Sequence, residues 1–127
     1  MFSHMMVGSN DIARSKIFYD ALFAATGGEP GVIDPKGRLI YRQDGGTFMV
    51  SKPIDGQPAT HANGGTVGFV MMNPEAAEAW HDAGVESGGE SVEDPPGWRE
   101  RPGFRLYLAY LRDPDGNKLC ALYREAL

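Results

Sequence analysis

The chain has 127 residues, enough for one domain with a sizeable core, and a formal net charge of −5 at pH 7. This acidity argues against a nucleic-acid partner, and the single cysteine excludes both an internal disulfide and a cysteine-rich zinc site. No apolar run approaches the roughly 18 residues that a membrane helix needs, and no secretory leader opens the chain, so we expect a cytoplasmic protein without membrane contact.

The first half of the chain predicts a strand, a helix and then a hairpin. The helix is capped by Asp11 and ends at Gly27-Gly28, because glycine accepts the left-handed conformation that closes a helix. Asp44-Gly45 marks a hairpin turn between two apolar runs. The strand candidates are residues 2–7, 38–43 and 47–52, with a weaker one near Val32.

The second half repeats this order of elements. Its helix is capped by Asn73, has Pro74 at its first position and ends at Gly88-Gly89. Its hairpin turns at Asp115. The strand candidates are residues 66–72, 104–112 and 118–124, with a weaker one near Val92.

The two halves differ by one insertion. The helix caps Asp11 and Asn73 lie 62 positions apart (73 − 11), whereas the turn residues Asp44 and Asp115 lie 71 apart (115 − 44). The nine extra residues (71 − 62) fall within residues 94–103, which are so rich in proline and glycine that we predict an ordered loop there.

These patterns predict an α+β fold built from two βαβββ modules. We expect the first module at residues 1–55, a linker at 56–65 and the second module at 66–127, all in one integrated domain. A sheet covered by one helix still has an open face. Two such sheets that curve side by side would form a cleft between their open faces.

Two motifs connect the chain to a known family: Ser15-x-x-Phe18-Tyr19-x-x-Leu22-Phe23 and Asp113-Pro114-Asp115-Gly116-Asn117. With them the chain resembles the vicinal oxygen chelate superfamily, which contains glyoxalase I, bleomycin-resistance proteins and extradiol dioxygenases. The resemblance covers nearly the whole chain, with a weak middle at residues 28–64. It implies paired βαβββ modules in a curved mixed sheet around a cleft, often with a divalent metal at its centre, and it implies a homodimer.

The resemblance places the family's metal-ligand positions at His4, Met49, Thr66 and Cys120. Family enzymes usually have His, Glu or Gln there, and only His4 conforms. Thioether and thiol donors suit soft ions and not Mg²⁺, Mn²⁺, Ni²⁺ or Fe²⁺, so we expect no metal or other cofactor, with a divalent metal as the alternative. His4 itself is either a catalytic base or ligand, or a hydrogen-bonded histidine without a role in chemistry.

Cys120 allows two interpretations. As a nucleophile it would need a positive neighbour to lower the pKa of the thiol, and Lys118 and Arg124 lie on the same side of the strand by alternation. As a packing residue it would be a small apolar side chain of the core, which is the commoner environment for cysteine.

The insertion supplies the candidates for ligand recognition. Trp98, Arg99 and Arg101 can stack on a planar ligand or hold an anionic group; alternatively, Trp98 caps the edge of the core. In the strand that follows, either Tyr107 or Tyr110 faces the cleft. Pairing across the second hairpin places Tyr110 nearest to Cys120.

Two classes of function follow. The first is a glyoxalase/bleomycin-resistance-like protein that binds a small aromatic or amphipathic molecule in a metal-poor cleft. The alternative is a metal-dependent lyase or isomerase of the glyoxalase I (lactoylglutathione lyase) type, or a related dioxygenase, that uses His4. The predicted ligand contacts of the binding protein are Met49, Thr66, Trp98, Arg99, Arg101, Tyr110 and Cys120.

Overall fold

A computed structural model describes residues 1–127 and shows two modules with the same order of elements, as predicted. The α+β fold of two modules is therefore confirmed. The first module contains β1 (Met5–Gly8), α1 (Ile12–Ala24), β2 (Val32–Ile33), β3 (Leu39–Gln43) and β4 (Gly46–Ser51). The second contains β5 (Val67–Val70), α2 (Pro74–Glu86), β6 (Glu90–Ser91), β7 (Gly97–Arg101), β8 (Phe104–Arg112) and β9 (Lys118–Ala126).

The two mixed sheets repeat the same topology. The first sheet has the strand order β1-β4-β3-β2, and the second has the order β5-β9-β8-β6 with β7 added to β8. In each sheet the first strand runs parallel to the last, with Met6 opposite Met49 and Gly68 opposite Cys120. Met6 and Gly68 lie 62 positions apart (68 − 6), and Met49 and Cys120 lie 71 apart (120 − 49). These are the two offsets found in the sequence, so the strand pairing follows the same internal repeat.

Both helices begin at the predicted caps. The Asp11 side chain accepts a hydrogen bond from the Arg14 backbone nitrogen at 3.0 Å, and the Asn73 side chain accepts one from the Ala76 nitrogen at 2.8 Å. Beyond α1 the chain reverses through Gly27, whose φ of 85° lies in the left-handed region. No helix of the chain is long and apolar enough to cross a membrane.

The predicted loop at residues 94–103 is instead organised around a strand. Residues 97–101 form β7, which pairs with β8 through a tight turn at Pro102-Gly103. The prolines flank this strand and do not interrupt it, so all its backbone donors remain available for pairing. The second sheet therefore has five strands where the repeat predicted four.

One hydrophobic core serves both modules. The helices α1 and α2 pack against each other, and the core includes buried side chains from the helix-facing sides of both sheets. Aromatic rings cross the boundary between modules, since the Phe69 ring centroid lies 5.4 Å from those of both Phe23 and Phe48. The modules are therefore halves of one packed unit.

The turn between β8 and β9, residues 113–117, joins the second module to α1. Asp113 holds the turn together, because one of its carboxylate oxygens accepts from the backbone nitrogens of Asp115 and Asn117, both at 2.9 Å. Its other oxygen accepts from the Tyr19 hydroxyl at 2.5 Å. The Asn117 side-chain amide donates to the Gly8 carbonyl at 2.9 Å, at the end of β1. A buried polar network thus connects the two modules.

The same turn also contacts the start of α1. An Asp115 carboxylate oxygen accepts from the Asn10 backbone nitrogen at 2.9 Å and from the Arg14 guanidinium at 2.8 Å. The Asp115 side chain is 1% exposed, so this charge has been almost entirely removed from water. We call this region, the turn 113–117 with Gly8, Asn10, Arg14 and Tyr19, the filled junction.

Candidate functional site

The face of the second sheet that points away from α2 carries several cations, among them Arg99 and Lys118, together with the Tyr110 ring and the Cys120 thiol. Tyr110 lies directly opposite Cys120 in the β8–β9 pairing, as predicted. Strand alternation places Arg99 of β7 and Lys118 of β9 on the same face. The Lys118 ammonium lies 5.0 Å from the centroid of the Tyr110 ring. We call these four residues the Tyr110 patch.

The Tyr110 hydroxyl and the Cys120 thiol are both held in their neutral forms. Burial raises the pKa of the Cys120 thiol, and the Tyr110 hydroxyl and the positive charges of Lys118 and Arg99 oppose this effect only in part. Burial also raises the pKa of Tyr110. A thiol with a raised pKa is a poor nucleophile at neutral pH, so this environment favours the packing interpretation of Cys120.

Trp98 lies on the opposite face of the sheet. It pairs with Tyr107, whose hydroxyl donates to Glu78 of α2, and the two rings meet edge to face at 5.2 Å. The Arg105 guanidinium covers the Trp98 ring at 3.7 Å. Alternation thus separates Trp98 from Arg99, and Trp98 packs at the edge of the core. The glutamate hydrogen bond raises the pKa of Tyr107 to about 12.

The other predicted site residues lie at strand ends or in the first sheet. His4 is exposed just before β1, and its Nδ1 lies 2.8 Å from the Ser3 hydroxyl. Thr66 is exposed just before β5, and Met49 is buried in β4. Arg101 is exposed near the end of β7, where its guanidinium donates to the Glu100 carbonyl at 2.8 Å.

The four positions that the family resemblance assigns to metal ligands offer a poor donor set for a hard divalent ion. They supply an imidazole, a thioether, a hydroxyl and a thiol whose pKa is raised by burial. Mg²⁺ and Mn²⁺ take oxygen donors, while Ni²⁺ and Fe²⁺ sites also use imidazole. The chain brings together no group of three or more His, Cys, Asp or Glu residues that could hold a metal ion. These residues do not fit the family's metal.

The predicted list of ligand contacts omits Lys118. Its spacing of two residues from Cys120 already places both side chains on one face of a strand. The contact between its ammonium and the Tyr110 ring depends on the register of β8 and β9, which the hairpin turn sets. In the structure Lys118 also forms an ion pair with Glu93.

The chain was compared with known families and structures. Residues 1–121 match the family model described as the Glyoxalase/Bleomycin resistance protein/Dioxygenase superfamily. The chain is similar to a glyoxalase/bleomycin resistance protein from Albidiferax ferrireducens T118, with 56% identity, a TM-score of 0.93 and coverage of 98% of this chain and 99% of that one. No protein of curated function matches the chain.

More distant structures share only the fold. A glyoxalase-related enzyme from Fulvimarina pelagi has 17% identity and a TM-score of 0.72, over 97% of this chain and 87% of that one. A hypothetical protein from S. aureus has 19% identity and a TM-score of 0.73, over 97% and 93% of the two chains. The family match over nearly the whole length, together with the paired modules, shows that this chain belongs to the glyoxalase/bleomycin resistance protein/dioxygenase superfamily.

Proposed function

We propose that the protein binds a small anionic molecule with an aromatic or amphipathic body, and that the Tyr110 patch is the contact surface. One observation carries this proposal: a half-buried aromatic ring and two cations share one face of the second sheet, with the Lys118 ammonium 5.0 Å from the Tyr110 ring. The ring and the apolar strand around it suit a planar ligand. Arg99 suits its negative group, and so does Lys118 when the ligand replaces Glu93 in its ion pair.

The chemistry of the same face favours binding over catalysis. Burial keeps the Cys120 thiol neutral. No basic side chain is hydrogen-bonded to this thiol, so none is positioned to activate it as a nucleophile. The donor set at the family's metal positions does not suit a hard cation. Binding requires neither an activated nucleophile nor a resident metal.

A fluorescent anion can test the patch. The dye 8-anilinonaphthalene-1-sulfonate has an aromatic body and one negative group, so its affinity should depend on the cations of the patch. Lys118→Gln should weaken its binding about tenfold, because a charge-assisted contact of about 1.4 kcal/mol is lost. Arg42→Gln is the control, since it removes the same charge from an exposed position on the first sheet. Equal affinities of the two variants would refute the patch as the binding surface.

Three further predicted contacts lie outside the four residues of the patch. Arg101 shares their face by alternation with Arg99, whereas Thr66 lies just before β5 and Met49 pairs with Met6 of β1. The strands β1 and β5 each end a sheet, so each has one edge without a strand partner in the chain. Large apolar side chains near the β1 edge are exposed, including Phe2 at 77% and Met6 at 44%. We propose that a homodimer covers the β1 edge.

Light scattering at micromolar concentration tests the dimer. Met6→Lys places a charge on the exposed face of β1 and should shift the mass towards that of one chain. Ile17→Lys makes the same change at an exposed site on α1 and should leave the mass unchanged. A monomeric mass for the unaltered protein would refute the dimer.

The lyase alternative has its own decisive measurement. Metal analysis of protein purified without chelator should find less than a stoichiometric amount of any divalent ion. A stoichiometric ion that His4→Ala removes, or turnover of a hemithioacetal, would replace the binding proposal with the lyase.

A further inference from the structure

A second site lies between the two modules, around the β5 edge of the second sheet. A cavity of about 470 Å³ opens between the end of α1, the β3–β4 turn, β5 and the start of α2. Small-molecule sites commonly have volumes of about 300–1,000 Å³ and mostly apolar walls. Five aromatic residues line this cavity: Phe23, Tyr41, Phe48, Phe69 and Trp80. Its size and walls therefore suit a small aromatic molecule.

The internal repeat explains why the space is open. The offset of 62 makes Val70, Met72 and Ala76 the counterparts of Gly8, Asn10 and Arg14, which hold the turn 113–117 at the filled junction. All three counterparts line the cavity and none offers a polar side chain. The corresponding turn of the first module has two residues, Asp44 and Gly45, and does not fill the space. We call this region the open junction.

A buried donor without an acceptor lies in the wall of the cavity. Trp80 is 0% exposed, and its indole nitrogen is the one buried side-chain nitrogen or oxygen in the chain that has no hydrogen-bond partner. An unpaired buried N–H is unfavourable, and an acceptor on a bound molecule would satisfy it once the side chains that cover Trp80 shift to admit that atom. The ligand should therefore carry a carbonyl or a similar acceptor.

The charge of the residues that line the cavity restricts the charge that a ligand can carry. Asp44 is the only charged residue that lines the cavity, and it lies in the exposed turn. A negative ligand would be repelled by this carboxylate and would find no cation in the walls. An uncharged ligand, or one with a single positive group near Asp44, would meet no such penalty.

We propose that the open junction is a binding site for a small aromatic molecule that is uncharged or singly cationic and that carries a hydrogen-bond acceptor. The Tyr110 patch has the opposite charge preference and is built from β7, β8 and β9, which contribute no residue to the cavity wall. The two sites therefore recognise different ligands and can be tested separately.

The test uses the neutral fluorescent ketone prodan, a naphthalene with a carbonyl acceptor. Ala76→Phe projects a ring into the cavity and should weaken prodan binding at least tenfold. Ala79→Phe is the matched control, because Ala79 is exposed on the same helix. Binding of 8-anilinonaphthalene-1-sulfonate should be unchanged in both variants. Equal prodan affinities for the two variants would overturn the proposal.

The acceptor requirement has a separate readout. Trp80→Phe keeps an aromatic wall but removes the N–H, so prodan should bind about fivefold more weakly, which corresponds to the loss of about 1 kcal/mol. N-phenyl-1-naphthylamine, which lacks the carbonyl, should bind the variant and the unaltered protein alike. A parallel loss for both dyes would overturn the role of the indole, and circular dichroism would verify that the variant is folded.

Discussion

The two junctions between the modules occupy equivalent places in the repeat and differ in chemistry. At the filled junction, polar groups of the first module hold a five-residue turn of the second through hydrogen bonds, of which the one between Tyr19 and Asp113 is buried. At the open junction, a two-residue turn faces Val70, Met72 and Ala76 across a cavity. The comparison shows that duplicated elements can preserve a fold while one junction is filled by polar contacts and the other is left open.

The largest expected effect tests the filled junction. Asp113 is 4% exposed and accepts hydrogen bonds from two backbone nitrogens, the Asn117 amide and the Tyr19 hydroxyl. Asp113→Asn should lower the free energy of unfolding by about 2–3 kcal/mol, because the amide group leaves at least one buried donor without its acceptor. Urea denaturation would measure this change.

The matched variant for this prediction is Asp44→Asn in the turn of the first module. Asp44 is exposed and has a φ of 50°, a conformation that asparagine also tolerates. Asp44→Asn should change the free energy of unfolding by no more than about 0.5 kcal/mol. Similar losses for the two variants would mean that the junctions do not differ energetically.

The second prediction concerns alkaline pH. Burial raises the pKa of Tyr19 well above its ordinary value, and the neighbouring Asp113 carboxylate adds to the shift. The contribution of Tyr19 to stability is therefore complete below its unfolded pKa and is lost as the pH rises towards the folded value. Above pH of about 10, the free energy of unfolding should fall by about 1.4 kcal/mol per pH unit from this tyrosine.

Tyr19→Phe should remove this component of the slope, as measured by urea unfolding at several pH values. Tyr41 and Tyr107, whose pKa values are also raised, stay in place and define the remaining slope. An unchanged alkaline slope in the variant would contradict the role of Tyr19.

The third prediction compares substitutions to leucine at the two equivalent helix positions of the repeat, Arg14 in α1 and Ala76 in α2. Arg14→Leu removes the charged partner of Asp115 and should lower stability by about 1 kcal/mol, a modest value because the Arg14 side chain is about half exposed. Ala76→Leu extends an apolar side chain into the open junction and should raise stability by about 0.5–1 kcal/mol. Thermal unfolding of both variants would show shifts of opposite sign. Shifts of the same sign would contradict the chemical difference between the junctions.

The smallest expected effect concerns the charge at the mouth of the open junction. Asp44→Asn should weaken binding of a cationic aromatic amine by about twofold, because an exposed carboxylate attracts a nearby cation only weakly in water. Prodan, which is uncharged, should bind the variant as it binds the unaltered protein. Fluorescence titration at low salt gives both affinities, and a larger loss for prodan would contradict the charge argument.

Local sequence signals predicted the fold well because each had a short-range physical cause. Asp11 and Asn73 cap the helices as expected, and the second Asp-Gly turn sets the register that brings Tyr110 opposite Cys120. The prediction of a loop at β7 was wrong for a local reason too, because the prolines flank the strand and do not interrupt it. Once Trp98 is in a strand, alternation places it on the opposite face from Arg99.

The sequence by itself determined the repeat, the helix caps and the hairpin registers, because these follow from side-chain periodicity and from hydrogen bonds within a few residues. Only the tertiary structure decided that Tyr19 meets Asp113, that Arg14 meets Asp115, and that the counterpart of the filled junction is a cavity beside Trp80. Most of these contacts join residues far apart in the chain, and the cavity depends on how two modules pack around one core, which no local pattern encodes.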